Sequence, residues 1–253
     1  MRQQITREFG IEDRWPVVSE AFEQWVLEDT FPAGRPDFTR AGVQLVDDVE
    51  PYELMKLRLL NASHQVMSYL GLLDGATYVH EVCRDPLFAE FLLGYMHEEA
   101  KPTLRPVPGV DLDEYCAELM RRFRSEAIKD TLVRQVVDAS DRIPKFLLPV
   151  IRDRLSAGGN VSRAILVVAA WSRFIERTRS AHHGPVLVDK RSADLNAAVV
   201  AEASTPGAFL DYEPVFGDLN GNGTLREQFA AARRSLDELG ARGAMVAAMK
   251  VGG

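Results

Sequence analysis

After residue 50 the chain all but abandons the period-two alternation of β-strands and runs through helix-periodic segments punctuated by proline and glycine. A body without alternation buries itself by packing helices, so the expected fold is mainly α. The first segment, EPYELMKLRLLNASHQ at 50–65, carries its own start signal. Proline lacks only a donor that the first helical position leaves unused, and the residue before it is pushed out of the helical region. Glu53 then complements the helix dipole. Leucines at 54, 57, 60 and 70, with Met55, Val66 and Met67, continue the pattern to Asp74-Gly75, which stops it. Further helices are expected at about 86–99, 111–125, 128–139, 143–157, 161–179, 192–203 and 223–250.

The stretch before residue 50 differs. In RWPVVSEAFEQWVLEDT at 14–30 the Val17-Val18 pair, Phe22 and Trp25 favour extended structure, with a helix capped by Ser19 as the competing reading. FPAGRPDFTRAG at 31–42 reads as a connector, and VQLVDD at 43–48 as an isolated strand. A short α/β lead-in thus precedes the helical body.

Composition excludes several functions. With 253 residues and a net charge of −7, the chain lacks the basic field that grips nucleic acid or an anionic membrane. AILVVAAW at 164–171, its most apolar run, is flanked by arginines and far shorter than the roughly 20 residues that cross a bilayer. It reads as a buried helix. Cys83 and Cys116 form no CxxC pair, so reduced thiols and a cytoplasmic setting are expected. The charged N-terminus has no signal-peptide core.

The leucine-rich helix also carries Lys56, Asn61 and His64. On a regular α-helix Lys56, His64 and Asn61 fall near about 0°, 80° and 140°, sharing one half of the surface. A solvated lysine, a locally bonded amide and a satisfied imidazole account for them simply. The chemical reading is that a partly desolvated amine takes a proton from a secondary alcohol, while amide and imidazole hydrogen-bond the oxygen. Hydride acceptance from the same carbon would require a cofactor.

K-x4-N-x2-H, standing as Lys56, Asn61 and His64, together with its flanks, resembles the polyol-specific long-chain dehydrogenase family. FGIEDRWPVVSEAFEQWVLEDTFPAGRP, VQLVDDVEPYE, VHEVCRDPLFAEFL and DTLVRQVVDASDRIPKFLLPVIRDRL are similar to that family as well, so the likeness spans about residues 7–240. It implies Lys56 as general base, with Asn61 and His64 orienting the reacting oxygen. Arg134 in DTLVRQ and Arg142 after DASD resemble the family's substrate-hydroxyl contacts, although Arg142 stands where lysine is usual. The resemblance further implies metal-independent oxidation of a sugar alcohol to a ketose by NAD or NADP. Mannitol with fructose is the favoured pair, and arabinitol, sorbitol and mannonate/fructuronate are alternatives. The implied architecture is a helical domain resembling the C-terminal domain of 6-phosphogluconate dehydrogenase.

The family's glycine-rich dinucleotide turn finds no match. GLLDG at 71–75 ends a helix, and GDLNGNG at 217–223 lacks a preceding strand and the required spacing. Residues 1–45 are therefore expected to be the tail of a dinucleotide-binding domain with its connector, and 46–253 the helical substrate domain. The cofactor domain itself would lie outside this chain, either upstream or as a separate chain, leaving the isolated chain inactive. The competing expectation is a noncatalytic helical association module.

Other motifs read as decoys. DLNGNGTLREQF imitates a calcium loop through Asp218, Asn220, Asn222 and Gly223 but places Phe229 where the bidentate glutamate belongs, with Glu227 two residues early. A polar turn and helix start are expected instead. His80, Cys83 and His97 lack a second metal-like pair, and His182-His183 read as solvated loop residues.

Overall fold

The apolar run at 164–171 is buried throughout within the helical body because it has no polar face to turn outward. The computed structural model describes residues 1–17, 19–180 and 185–251; the expectations for Val18 and His182-His183 lie outside the described residues. Two compact units emerge, Met1–Asp47 with Glu126–Ile128, and Asp48–Ser125 with Lys129–Gly253.

The smaller unit contains α1 (Arg2–Phe9), β1 (Val26–Glu28) and β2 (Gln44–Val46). The two strands pair in parallel, Val26 with Gln44 and Glu28 with Val46. The segment at 43–48 is therefore not isolated, since β1 supplies partners for its backbone. No helix starts at Ser19, and α1 escaped sequence analysis because its eight residues bury no side chain.

The larger unit is helical. A single helical path runs through α2 (Glu50–Met55), a π turn at Lys56–Asn61 and α3 (Ala62–Asp74). Gly75, at φ 92°, ends it in the left-handed conformation that glycine adopts without strain. Then follow α4 (Val79–Arg84), α5 (Pro86–Gly94), a second π turn at Tyr95–Ala100 and α6 (Leu112–Phe123). The expected helix at 128–139 shrinks to α7 (Leu132–Gln135). Thr131 instead bridges to Tyr78, with Val79 N–H donating to Asp130 and Leu132 N–H to Thr77, so this backbone is spent on a strand-like contact.

Beyond it lie α8 (Ala139–Phe146), α9 (Leu148–Ser156), α10 (Ser162–Ser180), α11 (Ser192–Ser204), α12 (Glu213–Phe216) and α13 (Gly223–Val251). The expected helix at 143–157 begins earlier, at Ala139, and is divided at Leu147. The central helix α10 packs chiefly on α13, α3 and α11. Trp171 on α10 is fully buried and meets Phe209 edge-on at 5.1 Å. Helix α13 bends at Gly240, whose φ of 68° with ψ of −178° is glycine backbone.

The core also holds ionisable groups. Buried Glu99, in the second π turn, accepts from the backbone N–H groups of Arg163 at 2.8 Å and Ala164 at 2.9 Å, capping α10. Burial pushes its carboxyl up to about 7, against the pull of those bonds and of Arg163. Buried Arg233 donates to Ser172 Oγ at 2.6 Å and to Glu176 at 3.2 Å.

Candidate active site

The motif helix is not a uniform α-helix. At Lys56–Asn61 it takes one extra residue into a turn, closed by Ala62 N–H donating to the Leu57 carbonyl, a five-residue span. An extra residue per turn removes about 100° from the angular separation of groups on either side. Relative to Lys56, Asn61 moves from about 140° to about 40°, and His64 from about 80° to about −20°. The wheel drawn for a regular helix thus understated how closely K-x4-N-x2-H shares a face.

Lys56 is exposed at the head of this turn, so the partial desolvation expected for the amine is not supplied within the chain. Asn61 is half-buried, and its Oδ1 is buried without a hydrogen-bond partner among the described residues. An amide oxygen left without a donor suits a ligand hydroxyl, which donates to it.

His64 is half-buried, with its ring edge-on to Phe123 at 5.0 Å. Desolvation dominates its proton affinity and lowers the imidazole to about 4; Asp130 opposes this, while Arg134, Arg142 and Arg122 reinforce it. The ring is therefore neutral near pH 7, with one N–H to donate. Arg134 and Arg142, separated from the helix by some 70 residues of sequence, come close enough to act on it electrostatically.

Asp130 braces that side of the site. Its carboxylate accepts from Arg134 Nε at 3.0 Å and from Gln135 Nε2 at 2.5 Å, while the Arg134 side chain stays 75% exposed and open to a ligand. The Gln135 carbonyl accepts both Arg142 Nη1 and Gln65 Nε2, each at 3.1 Å. Gln65 follows His64 directly, so one carbonyl ties the motif helix to the arginine-bearing helix.

Arg142 is further fixed through the start of α8. Asp138 there adopts φ 51°, an uncommon conformation for a side-chain-bearing residue, though one Asp tolerates. Buried Asp189 accepts from Ser140 N–H at 2.8 Å and Ser140 Oγ at 2.6 Å. Lys56, Asn61, His64, Arg134 and Arg142 are the residues expected from the sequence; Phe123, Asp130, Gln135 and Asp189 are added around them by the structure. Asp130 and Gln135 stand at the two ends of the DTLVRQ stretch that holds Arg134, while Phe123 and Asp189 lie in none of the family-like stretches and are brought in by the fold.

The decoys have structural explanations. Asp218 is engaged by Arg152, and Asn222 caps α13 by accepting from Leu225 N–H at 2.9 Å. His80 stacks on Tyr78 at 5.4 Å. Buried Cys83 donates to Met67 Sδ at 3.7 Å, and burial pushes its thiol up to about 12. Among the described residues no three His, Cys, Asp or Glu side chains gather as metal ligands. Nor is any helix among them long and apolar enough to cross a membrane.

The family model described as the mannitol dehydrogenase C-terminal domain matches residues 48–237. Mannitol 2-dehydrogenase of Phaeosphaeria nodorum is 42% identical over 245 residues, covering 95% of this chain and 43% of that protein. The Aspergillus fumigatus mannitol 2-dehydrogenase is 43% identical over 217 residues, covering 85% and 43%. Among solved structures, Pseudomonas fluorescens mannitol 2-dehydrogenase in ternary complex with NAD and D-mannitol superposes with a TM-score of 0.89 at 39% identity. That match covers 98% of this chain and 51% of the other. A substrate-free D-sorbitol dehydrogenase gives 0.84 at 27% identity, covering 96% and 50%. The chain spans about half the length of the relatives it matches, or somewhat less.

Proposed function

Because the chain belongs to the mannitol dehydrogenase family through that C-terminal domain, we propose that it is the substrate and general-base half of an NAD(P)-dependent polyol dehydrogenase. The observation that carries this reading is the π-turned helix, which lays Lys56, Asn61 and His64 along one face, with Arg134 and Arg142 within electrostatic reach of His64. The favoured reaction is oxidation of mannitol to fructose, supported by the names of the relatives.

Lys56 takes the hydroxyl proton at its Nζ. Asn61 and neutral His64 hydrogen-bond the oxygen as it changes from alcohol to carbonyl, and Arg134 and Arg142 hold other hydroxyls of the polyol. The exposed Lys56 gains its desolvation when the site is covered. Amine, amide and imidazole provide the base and the oxygen contacts, so the reading assigns no role to a metal.

The dinucleotide supplies the hydride acceptor when bound. The helical unit's residues fit the polyol and not the dinucleotide: the Gly217–Gly221 turn is tied down through Asp218 to Arg152 and follows no strand. A dinucleotide domain outside this helical unit, in the same polypeptide or a separate one, is assigned that role, and residues 1–45 are read as its tail and connector. A two-stranded parallel pair is normally part of a larger covered sheet, which supports this assignment. The free thiols Cys83 and Cys116 fit a cytoplasmic setting.

In the complete enzyme, Lys56→Ala should abolish polyol turnover while dinucleotide affinity stays within about twofold. Retained turnover would defeat the assignment of the base. NADH titrated into the 253-residue chain, followed by fluorescence, should show no tight binding; tight binding would overturn the division of labour.

A further inference from the structure

The face shared by Lys56, Asn61 and His64 depends on one extra residue being held in one turn. Isolated π turns are rare, and a helix gains little by keeping one unless its surroundings hold it. Were the extra residue to migrate out of Lys56–Asn61, Lys56 would turn by about 100° relative to Asn61. Whatever pins the turn therefore sets the geometry of proton removal.

We propose that Tyr95 is a positioning residue for the polyol reaction, its hydroxyl pinning the π turn by donating to the Arg58 carbonyl at 3.2 Å. The inference rests on the proposed dehydrogenase activity. Arg58 lies between Lys56 and Asn61, and Tyr95 is fully buried. Burial also pushes the Tyr95 phenol upward, keeping it protonated as a donor.

Arg58 is held at its other end too. Its guanidinium leads away from the motif face, and Nη1 donates to the Thr103 carbonyl at 2.9 Å and to Asp153 Oδ2 at 2.6 Å. Both the backbone and the side chain of this residue are thus anchored, which resists rotation of the turn.

The pin has a rigid footing. Tyr95 opens the second π turn, and Glu99 four residues later is gripped by the first N–H groups of the central helix α10. Hydrogen bonds join α10 to Glu99 and Tyr95 to Arg58, and the second π turn carries Glu99 and Tyr95 on one stretch of backbone. None of these groups needs to touch substrate, so their effect is on placement alone.

Tyr95→Phe keeps the ring and removes only the pin. Amide hydrogen exchange on the 253-residue chain should accelerate about tenfold at residues 60–62, with α10 amides changing less than about twofold. In the complete enzyme kcat should fall about tenfold, with the polyol KM and dinucleotide affinity moving less than about twofold. Tyr212→Phe, which removes a hydroxyl bonded to Asp194 at 2.9 Å, should leave both readouts unchanged.

Unchanged exchange at 60–62, or equal acceleration across α10, would overturn the pin. Local acceleration with kcat intact would overturn the positioning role. Absence of polyol turnover in the unsubstituted complete enzyme would overturn the activity on which the inference rests, a separate result from the exchange measurement.

Discussion

His64 offers a measurable energy. Burial lowers its imidazole from 6.5 to about 4 in the folded chain, whereas the unfolded chain takes up the proton near pH 6.5. Below that pH the unfolded state binds more protons, so stability is lost as pH falls from 6.5 towards 4 and levels off beneath. At about 1.4 kcal/mol per pH unit the full effect is about 3 kcal/mol, and the ring's residual exposure reduces this to about 2 kcal/mol. Glu99, with its carboxyl raised from 4.5 to about 7, has the opposite slope: folding favours its protonated form, and stability is lost as pH rises through that range. The contribution of His64 must therefore be read as a difference.

Urea unfolding of the chain and of His64→Gln at several pH values from 7.5 to 4 isolates it, because Glu99 contributes equally to both. Loss of the ring contact with Phe123 adds a penalty independent of pH. The stability difference between the two proteins should shrink by about 2 kcal/mol as pH falls through the window. A difference constant to within about 0.5 kcal/mol would refute the argument, since His64 would then titrate alike in both states.

Two further outcomes follow from buried and capping carboxylates. Asp189→Asn weakens the clamp on Ser140 that orients Arg142, so the polyol KM of the complete enzyme should rise about three- to tenfold with kcat little changed. Asp85 caps α5 by accepting from Leu87 N–H at 2.9 Å, and its other oxygen accepts from Arg242 at 2.9 Å. Asp85→Ala should lower stability by about 1 to 2 kcal/mol in thermal unfolding, with polyol affinity of the complete enzyme unchanged.

The sequence made the helices legible where one signal dominated. Pro51 marked the first turn of the motif path, although the helix starts one residue earlier at Glu50, and Gly75 closed it, because each acts on its own backbone without tertiary help. The segment at 128–139 misled, since its pairing with Tyr78 arises some 50 residues away. Helix α1 was missed for the opposite reason, as it presents no buried face to detect. The expected motif residues and arginines were named from spacing and context, and the structure brings Arg134 and Arg142 within electrostatic reach of His64. Asp130 receives Arg134 and Gln135 from four and five residues along the chain, whereas the Gln135 carbonyl and Asp189 act through bonds that cross the fold, and nothing local marks an aspartate that will receive such a bond. The π turn also left no local trace; only its effect on facing makes K-x4-N-x2-H coherent.

That turn has an evolutionary consequence. A helix that gains one residue while both flanks stay packed can absorb it as a π turn, and the turn between Lys56 and Asn61 holds one residue more than a regular turn would. Deleting one would leave a regular helix with lysine and asparagine four apart, again near about 40° on one face. Inserting another would swing them apart by about 100°. Descent along this segment can therefore shorten the spacing and keep the face, whereas lengthening it separates the two groups.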